Sequence, residues 1–262
     1  MHNIGAAGSL WCKQMVSKHD KLKQIQNQRR NTKIQNLLEP HGLLLLGVML
    51  VSEKDGVPPV TESHPARQLL LIGNGGSSFW PAFSHSAEFQ DGLANPLDRW
   101  SKRIGEDLAA RLGGRAIFPF GGPPYLPFQS WAGTTGQVSP SPVSMFIHTK
   151  FGLWHAYRCA LAFSELQDDL PVQSDFADPC SSCVDQPCLS ACPVNAFSGG
   201  AYAVDQCMDY LVSDNATSCR TQGCDARRAC PVGKGFTYLP AQARFHMDAF
   251  IKSSAPLKPG TE

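Results

Sequence analysis

The chain has 262 residues with 23 basic and 22 acidic side chains, a net charge of +1, and 42% hydrophobic and 17% charged residues. That length suits one large or two small domains with a real core, and the composition excludes a disordered or coiled-coil chain. No apolar run approaches the roughly 18 residues of a membrane span, and the near-zero charge argues against nucleic-acid binding by the chain as a whole.

The charge is uneven along the chain. Residues 1–33 carry seven basic residues against one acid, Asp20, a net +6. The remaining 229 carry 16 basic and 21 acidic groups, a net −5. In the leader a mildly apolar start precedes the basic part, the reverse of a secretory signal, so no export signal is read. It reads as a Gln/Asn/Lys-rich extension. A cytoplasmic location is expected, where disulfides are rare, so the ten cysteines call for another explanation.

After the leader, residues 34–39 read as the end of a helix closed by Pro40 and Gly42. Leu43 to Val51 reads as a buried strand, followed by a charged turn at Lys54, Asp55 and Gly56. Gln68 to Ile72 reads as a second strand ending in Gly73-Asn74-Gly75-Gly76. Those glycines suit either a close backbone approach to a ligand or a plain tight turn. Asn95 as N-cap, Pro96 at the first helical position, and Leu97, Trp100, Ile104, Leu108 and Leu112 at helical spacing predict a helix ended by Gly113-Gly114. Arg115 to Phe120 reads as a strand, Leu126 to Ala132 as a short helix, and Val143 to His148 and His155 to Phe163 as strands. Pro171 to Pro179 reads as a linker. The expected organisation is a basic extension (1–33), an α/β cofactor-pocket domain (34–170), a small cysteine-rich domain (171–250) and a tail (251–262).

Eight of the ten cysteines lie between Cys180 and Cys230. The first group is Cys180-x2-Cys183-x4-Cys188-x3-Cys192-Pro193; Cys207 follows alone; the last group is Cys219-x4-Cys224-x5-Cys230-Pro231. Eight thiolates supply two [4Fe–4S] clusters. A Cys-x2-Cys turn aims two sulfurs at one cluster, with backbone N–H groups turned toward its negative charge. The fourth cysteine of such a run, before proline, ligates the other cluster. The expected sets are therefore Cys180, Cys183, Cys188 and Cys230 on one cluster, and Cys192, Cys207, Cys219 and Cys224 on the other. The four residues between Cys183 and Cys188 exceed the ferredoxin spacing and fit only by bulging outward. Two four-thiolate zinc sites remain an alternative, although zinc gives no reason for both Cys-Pro endings. Cys12 and Cys159 read as ordinary thiols. No Ser-His-Asp motif, Walker loop, His-Glu-x-x-His or EF-hand is present, and no catalytic residue is assigned.

The order Cys180 to Pro193, Cys207-Met208-Asp209-Tyr210-Leu211, and Cys219 to Pro231 resembles the two-cluster domain of epoxyqueuosine reductases and, more distantly, of reductive dehalogenases. Ile147-His148-Thr149-Lys150-Phe151-Gly152-Leu153-Trp154-His155-Ala156-Tyr157-Arg158 is similar to a stretch of the vitamin B12 processing and trafficking chaperone. Together these resemblances imply an α+β protein: a flavin-reductase/nitroreductase-like α/β domain followed by a ferredoxin-like domain with two [4Fe–4S] clusters. They imply a cobalamin pocket lined by Gly152, Trp154 and Arg158, with His148 as a further candidate. The helical repeats that bind tRNA in longer epoxyqueuosine reductases have no counterpart in the roughly 30 residues after Cys230. No nucleic acid or membrane is expected as a partner. The expected function is a redox protein that takes electrons from a flavodoxin- or ferredoxin-type donor and passes them to a corrinoid or small substrate. A ferredoxin-like carrier without catalysis and a zinc-stabilised binding module are the alternatives.

Overall fold

A computed structural model of the chain describes residues 33–167, 170, 177–198 and 200–254. The basic leader to residue 32, Cys12, most of the 171–179 linker and the last eight residues lie outside the described residues.

Helix α1 (33–38) buries Ile34 and Leu38, then tightens into a 3₁₀ turn at Glu39–His41. Gly42 closes it at φ 62°, where a side chain would collide with the Ser78 carbonyl. Strands β1 (Leu44–Leu50) and β2 (Gln68–Gly75) follow. The short helices α2 (Trp80–Ser84) and α3 (Ala87–Gln90) lead to α4 (Pro96–Leu112). Next come β3 (Arg115–Ile117), α5 (Phe128–Thr134), β4 (Val138–Pro140), β5 (Phe146–His148) and β6 (His155–Phe163).

The main sheet is antiparallel with order β1-β2-β6-β3, while β4 and β5 form a separate ribbon. Strand β2 is buried at every position because the sheet is covered on both faces. Leu70, Ile72, Cys159, Leu161 and Phe163 pack against α1, α2 and α4. Leu69, Leu71, Ala160 and Ala162 pack against Phe128 and Trp131 of α5. Such alternation is the two-residue period of a strand.

Register slips once where β2 meets β6: Ile72 opposes Cys159 and Gly73 opposes Tyr157, leaving Arg158 as the extra residue. That bulge changes the phase of the strand. Arg158 lies over Phe79 on the α4 side, beside Cys159, whereas Tyr157 packs on the α5 side.

The C-terminal part consists of α6 (Pro187–Ser190), α7 (Val204–Val212), α8 (Thr217–Gln222), α9 (Asp225–Ala229) and α10 (Pro240–Ser254), with no strand among its described residues. Helix α10 ties it to the sheet domain: Phe245 enters the aromatic cluster, 5.7 Å from Trp80, 5.4 Å from Phe83 and 5.9 Å from Phe89. The chain is thus a mixed α+β protein. No helix among the described residues is long and apolar enough to cross a membrane.

Several expected boundaries shift. The strand from Arg115 ends at Ile117, and the one expected from Val143 starts at Phe146. The short helix runs Phe128–Thr134 rather than Leu126 to Ala132. Asn95 stands at the N-cap of α4 with φ 53° and makes no side-chain cap bond. Gly73, Asn74 and Gly75 continue β2 rather than turning out of it. The bare glycines serve internal packing: a Cβ at Gly73 would strike the Ala156 carbonyl and Leu46, one at Gly75 the ring of Phe151, and one at Gly76 the backbone of Phe236.

Candidate functional site

The eight clustered cysteines fall into two neighbourhoods. Cys180, Cys183, Cys188 and Cys230 all border one small cavity, together with Pro179, Pro231 and Ile147. Cys180 is in electrostatic reach of the other three thiols of this set. Cys224 couples to Cys207 and Cys192, and Cys219 to Cys224. The last thiol of each run has crossed to the other run's set, the interleaving expected from the two Cys-Pro endings.

Short helices do the crossing. Cys188 lies in α6, Cys207 in α7 and Cys219 in α8, while Cys224 and Cys230 are the N-cap and C-cap residues of the five-residue helix α9. One turn of helix thus carries one thiol of each set. The residues between Cys183 and Cys188 do bulge outward: Val184 is 95% exposed and Gln186 takes φ 37°.

Backbone N–H groups point at these sulfurs. Ala196 donates to Cys192 Sγ at 3.3 Å. The N–H groups of Ala226 and Arg227 serve Cys224, that of Val232 serves Cys230, and that of Asp225 serves Cys219. Burial, reinforced by neighbouring groups, pushes the Cys180 thiol up to about 11 and that of Cys219 up to about 12. Without a cation these sulfurs stay protonated, and ligation to a positive metal centre reverses that preference. Two sets of four thiols, each supplied with N–H dipoles, are a donor set that fits a pair of iron–sulfur clusters. No group of three or more His, Cys, Asp or Glu side chains spaced for one metal ion occurs among the described residues.

A second, larger cavity of about 670 Å³ opens beside edge strand β1. Its wall includes Leu44, Leu46, Thr135, Gln137, His148 and Lys150. Edge-strand backbone groups and polar side chains thus surround an apolar floor. His148 Nδ1 accepts the backbone N–H of Lys150 at 3.0 Å and of Phe151 at 3.4 Å, so the neutral ring carries its proton on Nε2. Burial, with His155 and Lys150 nearby, pulls His148 down to about 4, and the ring is neutral at pH 7.

Of the four residues expected to line a corrinoid pocket, the structure brings only His148 to this cavity. Gly152, Trp154 and Arg158 lie at the junction with the C-terminal part. Gly152 has φ 58°, and a Cβ there would strike the Val232 carbonyl. Trp154 is 1% exposed, packed 5.2 Å from Tyr238, with the Arg227 guanidinium 4.4 Å above its ring. Arg158 donates from Nε to Asn74 Oδ1 at 3.1 Å, and burial lowers its pKa.

Strand alternation explains this division and exposes two residues that the motif reading passed over. His155 and Tyr157 share the other face of β6. The His155 ring stands 5.5 Å from that of His148 and 5.7 Å from that of Tyr157. Its Nδ1–H donates to the Gly152 carbonyl at 3.1 Å, and burial pulls it down to about 4. The Tyr157 hydroxyl is buried without a hydrogen-bond partner. Counting in twos from His155 along the predicted strand was the available signal.

No known protein-family profile matches the chain, and no curated protein matches it. Among solved structures, a B12-trafficking protein from C. elegans, CblC, superposes with a TM-score of 0.52 at 11% identity, over 90% of this chain and 100% of that one. This likeness is one of fold. Epoxyqueuosine reductase from Bacillus subtilis gives a TM-score of 0.42 at 16% identity, over 66% of this chain and 50% of that one. An epoxyqueuosine reductase solved with a tRNA stem loop gives 0.40 at 18% identity, over 68% and 52%. The chain therefore spans about half the length of the reductases it matches. Both proteins are of the kinds that the sequence motifs resemble.

Proposed function

We propose that this chain is an iron–sulfur redox protein whose two sets of four thiols each hold a [4Fe–4S] cluster. Cys180, Cys183, Cys188 and Cys230 would hold one, and Cys192, Cys207, Cys219 and Cys224 the other. The observation that carries this reading is the interleaved grouping itself, which brings together eight cysteines spread over 51 positions. Such clusters supply one-electron transfer at low potential when bound. The chain's own contribution is to bury the sulfurs, offset their charge with N–H dipoles and set one site against the large cavity.

The large cavity is proposed to hold the electron acceptor, a corrinoid or a small substrate. There His148 offers an N–H donor, Lys150 a positive charge and β1 its free edge. The electrons would come from a flavodoxin- or ferredoxin-type protein in a reducing compartment such as the cytoplasm. The donor is oxidised by as many electrons as the acceptor gains.

Anaerobic purification with iron and acid-labile sulfide analysis tests the first part. About eight iron and eight sulfide per chain are expected for two such clusters. Zinc without sulfide would refute it. Titration with hydroxocobalamin, and separately with flavin, tests the second part. Absence of any spectral change would leave an electron carrier without its own acceptor.

A further inference from the structure

At the junction between α10 and the sheet domain, buried polar groups are left without partners. Gln242 is 0% exposed, and neither its amide oxygen nor its amide nitrogen has a hydrogen-bond partner. Four residues on, His246 has a buried Nε2 that is equally unpartnered. The spacing puts both side chains on one face of α10. The Tyr238 ring stands 5.5 Å from the His246 ring. Two cations act on His246, Arg158 from β6 and Arg227 from α9. With burial they pull the histidine down to about 3, so the ring is neutral. The carboxylate acting on Arg158 is Asp98, itself half-buried.

We infer that this junction is a binding site for a small inorganic monoanion, held by Gln242 and His246 beside the guanidinium groups of Arg158 and Arg227. Buried polar groups in native proteins are almost always satisfied, so a cluster of orphaned ones marks an ordered water or ion. Water would satisfy the hydrogen bonds but not the charge, since the charged groups acting on His246 are two guanidinium groups. A monoanion does both. It accepts from the Gln242 amide N–H and the imidazole N–H, and it neutralises the surplus positive charge. The site is separate from the large cavity, and Arg227 reaches it from α9, the helix capped by Cys224 and Cys230. Iron and sulfide analysis of the same sample keeps its test distinct from that of the redox reading.

The test uses the full-length protein, purified anaerobically and dialysed into gluconate buffer. Chloride is then exchanged for gluconate at constant ionic strength while the unfolding temperature is followed. The wild type is expected to gain stability in a saturable way, and Gln242→Met to show no chloride response. Gln242→Glu carries its own negative charge to the same place. It is expected to fold, to be at least as stable in gluconate as the wild type, and to ignore chloride. An unpaired buried carboxylate would instead unfold the protein, which would overturn the inference. Crystals grown with bromide are expected to show an anomalous peak touching Gln242 and His246. Equal stability of the wild type in chloride and gluconate, or density for water alone at the junction, would also overturn it.

Discussion

Ile147 and His148 are consecutive residues of strand β5, yet they border different cavities. Ile147 borders the cavity of Cys180, Cys183, Cys188 and Cys230, and His148 borders the large cavity beside β1. Successive side chains on a strand point to opposite faces, so a single strand thickness separates the two sites. On the proposed function, an electron passing from the first thiol set to the large cavity would cross this strand. Helix α9 joins this set to the second, with Cys230 at its C-cap and Cys224 at its N-cap.

This arrangement makes the two sets separable by mutation. Cys188→Ser is expected to remove or convert the cluster proposed for Cys180, Cys183, Cys188 and Cys230 and spare the other. Cys219→Ser is expected to do the converse. Iron analysis and low-temperature EPR of the reduced protein read both effects, with about half the iron retained in each variant. Loss of both clusters, or of neither, from one substitution would refute the interleaved sets.

The cysteine grouping was legible because spacing and the residue after cysteine are local signals. The helix Pro96–Leu112 and the strand His155–Phe163 were legible for a similar reason, each having a clear period and clear punctuation. The surface to which each side chain of the 147–158 stretch is turned was not. Trp154 and Arg158 share a motif with His148, but the bulge at Arg158 and the turn at Gly152 send their side chains to another surface. A bulge follows from pairing two distant strands, and no local pattern reports it. The junction with α10 was likewise hidden, since contacts such as Phe245 on Trp80 join residues 165 positions apart.

Arg227 of α9 also links the C-terminal part to the sheet domain. Its Nε donates to the Leu153 carbonyl at 2.8 Å, and its guanidinium lies 4.4 Å from the rings of both Trp154 and Tyr238. Arg227→Ala removes all three interactions and is expected to cost about 2–4 kcal/mol. Arg227→Lys keeps a charge but loses the planar stack, and should recover part of that. Urea unfolding followed by tryptophan fluorescence measures both. A cost within error of zero for the alanine variant would show that the clamp does not hold the two parts together.

Stability should fall in mild acid. His148 and His155 are pulled down to about 4 and His246 to about 3, against about 6.5 for an unfolded histidine. Below pH 6.5 the unfolded chain takes up protons that the folded chain refuses, so stability is full above that pH and declines toward pH 4. The slope between pH 6.5 and 5 should approach three protons per molecule, less whatever His148 and His155 share through their coupling. His155→Phe should reduce the uptake by about one. Urea midpoints across this range give the slope, and a flat profile would mean that these histidines titrate normally.

Gly152 and Gly113 separate backbone strain from steric exclusion at the junction. Both have positive φ, 58° and 73°, so alanine at either carries the left-handed penalty of about 1 kcal/mol. At Gly113, the C-cap of α4, nothing lies within 4 Å of the added Cβ, and that penalty is the whole expected cost. At Gly152 the Cβ would strike the Val232 carbonyl oxygen, two residues after Cys230. Backbone must move there, so the total should reach about 3 kcal/mol. The disturbance should also reach the first thiol set, visible as a changed EPR signal for that cluster alone. Equal costs for the two alanine variants, with unchanged spectra, would mean that the close approach of Gly152 to Val232 does not constrain the thiol site.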